Sequence, residues 1–151
     1  GRFTGQLRTL LMQEWGGVQV VVHGERYDLA GCAAFLCVEG DTVLGALHYT
    51  LRGGEGEILS LFSRREHEGI GLALMRMVAR ECRARGAHTL RVVTTNDNAR
   101  AFRFYQQYGM ELTAVRFNQV DDVSRPMKPA IPLTGCDGIP IRHELEFSMD
   151  L

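Results

Sequence analysis

Two glycines at the junction of an apolar segment and a helical segment have the spacing of an anion-binding site. Residues 57–62, Glu-Ile-Leu-Ser-Leu-Phe, predict a strand, and the residues from Ile70 onward place apolar side chains at helical spacing. Gly69 and Gly71 stand between them, where the backbone N–H groups of a helix start are free and the helix dipole favours negative charge. We therefore interpret residues 64–73 as a cradle for a pyrophosphate.

The motif alone leaves other interpretations open. It is not a Walker loop, because no Gly-Lys-Ser/Thr follows it. It is not the dinucleotide fingerprint either, because the third glycine position holds Leu74. An unrelated nucleotide-binding protein therefore fits less well, and the glycines also fit a tight strand-to-helix turn that holds no ligand.

A second candidate block lies downstream, in residues 98–110. Asn98 is a preferred residue at a helix start, and Gly109 is preferred just after a helix end. On periodicity alone, Tyr105 is a core aromatic residue of this helix, beside Phe102 and Tyr108.

Together the two blocks resemble the GNAT superfamily of N-acetyltransferases, which move an acetyl group from acetyl-coenzyme A to an amine. The resemblance covers about residues 40–115. It implies an α/β fold with a mixed, mostly antiparallel central sheet flanked by helices. It also implies one acetyltransferase-like domain over residues 1–151, and no strand is evident before the first helix, where the superfamily usually has one.

The resemblance implies roles for individual residues. Tyr105 matches the general acid that protonates the coenzyme A sulfur, and Glu57 matches an acidic residue that serves as general base. Asn98 matches a residue that hydrogen-bonds the pantetheine arm. The backbone implied to hold the cofactor comprises Leu61, Phe62 and Ser63 along the pantetheine, and Glu68, Gly69, Ile70, Gly71, Leu72 and Ala73 around the pyrophosphate.

Some residues depart from the superfamily pattern and keep alternatives open. Glu66 stands where Gln or Arg is usual, and Glu68 adds a second negative charge beside a site for anions. A coenzyme A-binding sensor that catalyses nothing is therefore the alternative function. Glu57 also fits an exposed strand-edge residue, and His48 on the neighbouring strand is the alternative base.

Composition narrows the classes of partner. The net charge of -1 gives no electrostatic case for binding nucleic acid or an anionic membrane, and no apolar stretch is long enough to span a bilayer. The four cysteines form no metal-ligand spacing and predict reduced thiols in a cytoplasmic protein without a metal. The expected partner is a small-molecule or peptide amine that the sequence does not name, and the resemblance also allows a homodimer.

The elements that position these residues follow from periodicity and turn signals. Strands are predicted at residues 18–23, 34–39, 42–51, 57–62, 89–95, 111–120 and 141–149, and helices at residues 7–15, 70–85 and 99–108. The last strand alternates apolar and polar residues, which predicts one buried face. Residues 121–137 hold three prolines and are predicted as a loop.

Overall fold

The fold consists of three helices and eight strands within the described residues, 1–64 and 69–151, of a computed structural model. The helices are α1 (Thr4–Trp15), α2 (Ile70–Ala84) and α3 (Ala99–Tyr108). The strands are β1 (Gln19–Val22), β2 (Glu25–Asp28), β3 (Ala33–Glu39), β4 (Thr42–Arg52), β5 (Glu55–Ser63), β6 (Thr89–Thr95), β7 (Glu111–Arg116) and β8 (Glu144–Asp150). Short helical turns fill parts of the connections, at Leu29–Gly31, Val120–Ser124, Arg125–Met127 and Cys136–Gly138.

Six strands form the central sheet in the order β3-β4-β5-β6-β8-β7. The pair β5–β6 is parallel and the other four neighbouring pairs are antiparallel. The helix α2 connects the two parallel strands, as a parallel pair requires a crossover. The predicted mixed, mostly antiparallel sheet flanked by helices is confirmed.

The two parallel strands, β5 and β6, stop pairing halfway along β5. Their register runs from the pair Glu55–Thr89 to the pair Ile58–Val92 and ends there. The register of β5 with β4 continues to Ser63, after an irregularity that leaves Leu59 as an extra residue between Ile58 and Ser60. A bulge of this kind bends its strand, and the bend opens a cleft between β5 and β6.

Each face of the sheet is covered by its own apolar cluster. On one face, α2 and α3 pack through a cluster that includes Leu74, Val78, Tyr105 and Phe147. On the other face, α1 and the strand β1 pack through Leu10, Leu11, Val20, Val22 and Leu59. Elements on both faces therefore converge on the strand β5.

A β-hairpin at residues 19–28 was not predicted. The strands β1 and β2 pair in antiparallel register, from Gln19–Asp28 to Val22–Glu25, around a two-residue turn of His23 and Gly24. The sequence predicts the strand β1, but it indicates an irregular connection over residues 27–33. The hairpin forms a separate two-stranded sheet on the α1 face.

Two predictions about the C-terminal third are wrong. The strand predicted over residues 111–120 ends at Arg116, and Val120 begins a helical turn. The last strand begins at Glu144 and does not bury a single face, because Glu144 and Phe147, which lie on opposite faces, are both buried. The Glu144 carboxylate on the supposedly exposed face is buried between the His23 backbone N–H of the hairpin, which donates to it, and the Arg116 guanidinium of β7.

Candidate active site

The cleft between β5 and β6 is the candidate active site. It forms a small cavity of about 60 Å³ that reaches both faces of the sheet. Its lining residues are Leu59, Ser60 and Leu61 of β5, Val92, Val93 and Thr94 of β6, Asn98, Ala101 and Tyr105 at α3, and Trp15 at the end of α1. The predicted pantetheine stretch, Leu61 to Ser63, lies on the part of β5 that has left β6.

The helix α2 begins next to this cleft with an open N-terminus. Gly69 precedes it in a left-handed conformation, with φ of 76°, and offers no side-chain cap. The first bond into the helix runs from the Ala73 N–H to the Gly69 carbonyl, at 2.9 Å. The N–H groups of Ile70, Gly71 and Leu72 have no acceptor within the helix, which suits a phosphate. The predicted contact at Glu68 lies outside the described residues.

Gly71 lets α3 approach the start of α2. A Cβ atom at this position would lie 3.3 Å from Cζ of Phe104, tighter than ordinary van der Waals contact. The glycine therefore has a packing role besides its place in the predicted cradle. That packing holds the start of α2 against the middle of α3.

Asn98 combines the two roles that its position suggests. Its Oδ1 accepts a hydrogen bond from the Ala101 N–H at 3.0 Å and so caps α3. The same residue lines the cleft between β5 and β6. Because the cap uses the amide oxygen, the amide nitrogen is the atom that suits a carbonyl of a ligand in the cleft.

Tyr105 presents a buried phenol to the cleft. Its ring lies among aromatic neighbours, with centroids 5.5 Å from Phe104 and 5.7 Å from Phe147. Burial raises the pKa of Tyr105 well above its ordinary value, so the hydroxyl keeps its proton at neutral pH. Tyr108 differs, because its hydroxyl donates towards the Met75 carbonyl at 3.4 Å and does not line the cleft.

Glu57 is buried and held by groups from three elements. Arg91 of β6 donates from Nε to its Oε2 at 2.5 Å, and Tyr27 of β2 donates to its Oε1 at 3.2 Å. The imidazole of His23 lies 2.8 Å from its Oε2, measured from Nε2. Glu57 is thus no exposed strand-edge residue, and it lies one residue before the last β5–β6 pair, on the α1 face.

His48, the alternative base, has different surroundings from Glu57. It is 2% exposed, and its Nδ1 is 3.3 Å from the Ser60 hydroxyl, which itself lines the cleft. Burial lowers the pKa of His48, so the ring is neutral at neutral pH. Its other surroundings are a second cavity of about 140 Å³ between α1, β3 and β4.

The partners of Glu57, which are His23, Tyr27 and Arg91, are not predicted from the sequence. Two of them come from the unpredicted hairpin. The dipeptide His23-Gly24 between β-branched Val20–Val22 and the alternating residues 25–28 is the signal that would have found it, since X-Gly turns join two-residue hairpins. Arg91 had no local signal, because only the register of β6 against β5 brings it to Glu57.

Residues 1–64 and 69–151 lack both a membrane-spanning helix and a metal-binding cluster. No helix there is both long and apolar enough to cross a membrane. No group of three or more His, Cys, Asp or Glu side chains in these residues could hold a metal ion. The four cysteines are free thiols.

Comparison with known proteins identifies the family to which this chain belongs. Residues 6–110 match the Acetyltransferase (GNAT) family, and the chain belongs to that family. The resemblance noted in the sequence is therefore confirmed.

Particular relatives share the sequence or the fold. The uncharacterized protein YxbD of Bacillus subtilis strain 168 is 36% identical over 134 residues, which cover 88% of this chain and 84% of the relative. A GNAT family acetyltransferase from Elizabethkingia anophelis with acetyl-CoA bound has a TM-score of 0.70 at 20% identity, covering 82% of this chain and 78% of that chain. The ribosomal-protein-S18-alanine N-acetyltransferase from Escherichia coli has a TM-score of 0.61 at 16% identity, covering 79% and 68%. Both structures share this fold.

Proposed function

We propose that this protein is an acetyl-CoA-dependent N-acetyltransferase that acts on a primary amine. The observation that carries the proposal is the cleft where β5 and β6 separate. The open N-terminus of α2, Asn98 and Tyr105 all lie beside it. The fold neighbour with acetyl-CoA bound supports the cofactor, and the neighbour that acetylates a protein alanine supports an amine acceptor.

The described residues fit acetyl-CoA on one side of the cleft. The N–H groups at Ile70, Gly71 and Leu72 suit the pyrophosphate, and a Cβ at Gly69 would meet nothing within 4 Å, so the approach is open. The backbone of Leu61, Phe62 and Ser63 would pair with the pantetheine amides as an added strand would. Bound there, acetyl-CoA supplies an acetyl group activated as a thioester.

Tyr105 is the proposed general acid. A thiol has an ordinary pKa of about 8.5, so the sulfur leaves most easily when a neighbouring acid protonates it. Tyr105 lines the cleft, and its phenol is protonated at neutral pH, as an ordinary tyrosine already is and as the burial that raises its pKa further ensures. Its phenol would donate that proton to the departing sulfur.

Glu57 is the proposed source of basicity on the acceptor side. Attack by the amine requires that the nitrogen lose a proton to a base. The Glu57 carboxylate lies on the α1 face near the vertex of the cleft, opposite the face that carries Tyr105 and α3. Because Arg91 and Tyr27 already occupy both carboxylate oxygens, Glu57 would act through a neighbouring group or water.

An acceptor screen tests the proposed function. The protein is mixed with acetyl-CoA and a panel of amines, which spans amino acids, polyamines, aminoglycosides and peptides with free N-termini or lysines. Release of free thiol is then followed. We expect thiol release that depends on at least one amine. Tight acetyl-CoA binding without transfer to any amine would instead support the coenzyme A sensor.

A further inference from the structure

The turn of the hairpin carries a histidine in a conformation that side chains rarely adopt. His23 has a φ of 38°, in the left-handed region, and Gly24 follows it with a φ of 81°. Gly, Asn and Asp are the usual residues at the first of these positions. A non-glycine residue persists in such a conformation when its surroundings hold it there, and such residues cluster at functional sites.

Contacts with two strands of the central sheet hold His23 in place. Its backbone N–H donates to the two carboxylate oxygens of Glu144 in β8, at 3.1 and 3.2 Å. Its Nε2 lies 2.8 and 3.0 Å from the two carboxylate oxygens of Glu57 in β5. The side chain of His23 is 11% exposed, so the ring points into the molecule rather than into solvent.

The charge of Glu57 fixes which nitrogen of His23 carries the hydrogen. A carboxylate paired with a guanidinium is ionised and has no proton to give, and Arg91 Nε bonds to Glu57 at 2.5 Å. The carboxylate cannot donate, so the hydrogen between Glu57 and His23 comes from Nε2. In the neutral imidazole this leaves the lone pair on Nδ1, and no hydrogen bond to Nδ1 is formed by any residue of 1–64 or 69–151. In this tautomer the Arg91 terminal nitrogen, 3.1 Å from Nε2, makes a close contact and not a hydrogen bond.

This imidazole is connected through Glu57 to the strand β5, which borders the cleft. Glu57 precedes the cleft residue Leu59 by two positions, roughly 7 Å along a strand. Val22, the neighbour of His23 in the chain, packs in the same cluster as Leu59 and Val93, which line the cleft. The hairpin therefore places His23 on the α1 face of the sheet, opposite the face that carries Tyr105.

We propose that His23 Nδ1 is the atom that accepts the proton of the acceptor amine, and that Glu57 positions the ring through Nε2. The proposal rests on the proposed function. The amine nitrogen forms a bond to the acetyl carbon, and its proton passes to His23 Nδ1. The carbon–sulfur bond breaks, and Tyr105 protonates the sulfur. His23 then loses its proton to solvent and Tyr105 regains one, which restores both residues.

The charged and titratable groups around His23 come from four strands. They are Glu25 and Tyr27 of β2, Glu57 of β5, Arg91 of β6 and Glu144 of β8. Three of these groups are carboxylates, and Arg91, whose terminal nitrogen is 3.1 Å from Nε2, carries the positive charge nearest to the ring. A pH profile measures the balance of these groups directly.

Substitution of His23 with chemical rescue tests the assignment. Glycine suits the turn conformation and leaves room for an added imidazole, and asparagine also suits it. For His23→Gly we expect a fall in kcat on the order of 10²-fold, with little change in the KM for acetyl-CoA. Added imidazole should restore part of that rate. The acidic limb of the wild-type kcat/KM profile should disappear in both His23→Gly and His23→Asn.

His88→Asn is the matched control, because His88 is exposed and precedes the first β5–β6 pair, at the end of β6 away from the cleft. It should turn over as the wild type does. Wild-type turnover by His23→Gly would overturn the assignment. So would a loss of rate in His23→Gly that imidazole does not restore, with thermal unfolding unchanged.

Nuclear magnetic resonance of the imidazole nitrogens gives a readout that needs no turnover. We expect His23 to carry its hydrogen on Nε2 at neutral pH and this preference to weaken in Glu57→Gln. A hydrogen on Nδ1 in the wild type would overturn the assignment. If the wild type is active and substitution of His23 does not change its turnover, this inference alone is contradicted. If the wild type releases no thiol with any amine, the proposed function is contradicted as well.

Discussion

Tyr105 shows how burial can suit one side chain to two requirements. Its ring packs with Phe104 and Phe147, and the residue also lines the cleft. The low polarity that packs the ring also keeps the phenol protonated. A core residue and an acid are therefore compatible in this position.

Tyr105→Phe removes the hydroxyl and retains the packed ring. We expect turnover to fall on the order of 10²-fold, since positioned acids contribute at least that much, while the affinity for acetyl-CoA stays nearly unchanged. Steady-state kinetics and calorimetric titration measure the two quantities.

Tyr108→Phe serves as the control on the same helix, because its hydroxyl donates towards the Met75 carbonyl and Tyr108 does not line the cleft. It should keep wild-type turnover. If Tyr105→Phe turned over as fast as Tyr108→Phe, the acid would have to be another group.

At the scale of residues, the sequence reaches the motif positions but not their partners. Asn98 and Tyr105 fall in a recognisable block, and both are found at the cleft. The pairing of Glu57 with His23 and Arg91 joins residues 34 positions apart in either direction. No local pattern encodes such a contact, since it depends on strand register and on a hairpin folding back over the sheet.

The junction of β5 and α2 depends on close packing against β4. Gly45 of β4 lies under the first turn of α2, and a Cβ there would meet Ile70 Cγ2 at 2.6 Å and the Phe62 carbonyl oxygen at 2.8 Å. Neither neighbour is the end of a flexible chain. The start of α2 and the cofactor stretch of β5 are thus both fixed by the absence of a side chain at Gly45.

Gly45→Ala should destabilise the protein and weaken cofactor binding. We expect the free energy of unfolding to fall by roughly 1–3 kcal/mol, the usual range for overpacking a core. The affinity for acetyl-CoA should fall too, because Ile70 and Phe62 must shift. Denaturant unfolding and calorimetric titration would report these changes.

Gly5→Ala in α1 is the matched substitution, because a Cβ there meets nothing within 4 Å. Alanine at this helical site should leave stability unchanged or raise it by up to about 1 kcal/mol. Equal stability of the two variants would show that the contact at Gly45 does not constrain the junction.

At the scale of elements, strong local periodicity predicts the boundaries well. The prediction is wrong where a tertiary contact buries an apolar residue outside a strand. The bounds of β6 and α3 agree with the sequence to the residue, because a β-branched run and a capped helix are local signals. The strand predicted over residues 111–120 extends too far, because the apolar residue at its end is buried in a contact outside the sheet. Val120 is buried in a helical turn, where its N–H donates to the Arg142 carbonyl.

Across the whole molecule, the hairpin and the C-terminal strands share one polar layer on the α1 face. Glu57 and Glu144 lie beneath His23, and Arg116 of β7 donates to Glu146 of β8 at 2.6 Å. Burial raises the pKa of Glu144, against the opposing effect of the His23 N–H. This layer ties the N-terminal hairpin to the far edge of the sheet, so the acceptor side of the cleft is built by both ends of the chain.

The position of the transferred acetyl group tests the central claim most directly. The protein is supplied with acetyl-CoA labelled at the acetyl carbonyl carbon and with an amine that supports thiol release, and the product is examined by nuclear magnetic resonance. The account predicts that the label appears in an amide of the acceptor. Label that appears only in acetate, in an ester of the acceptor, or in unreacted thioester would contradict an N-acetyltransferase.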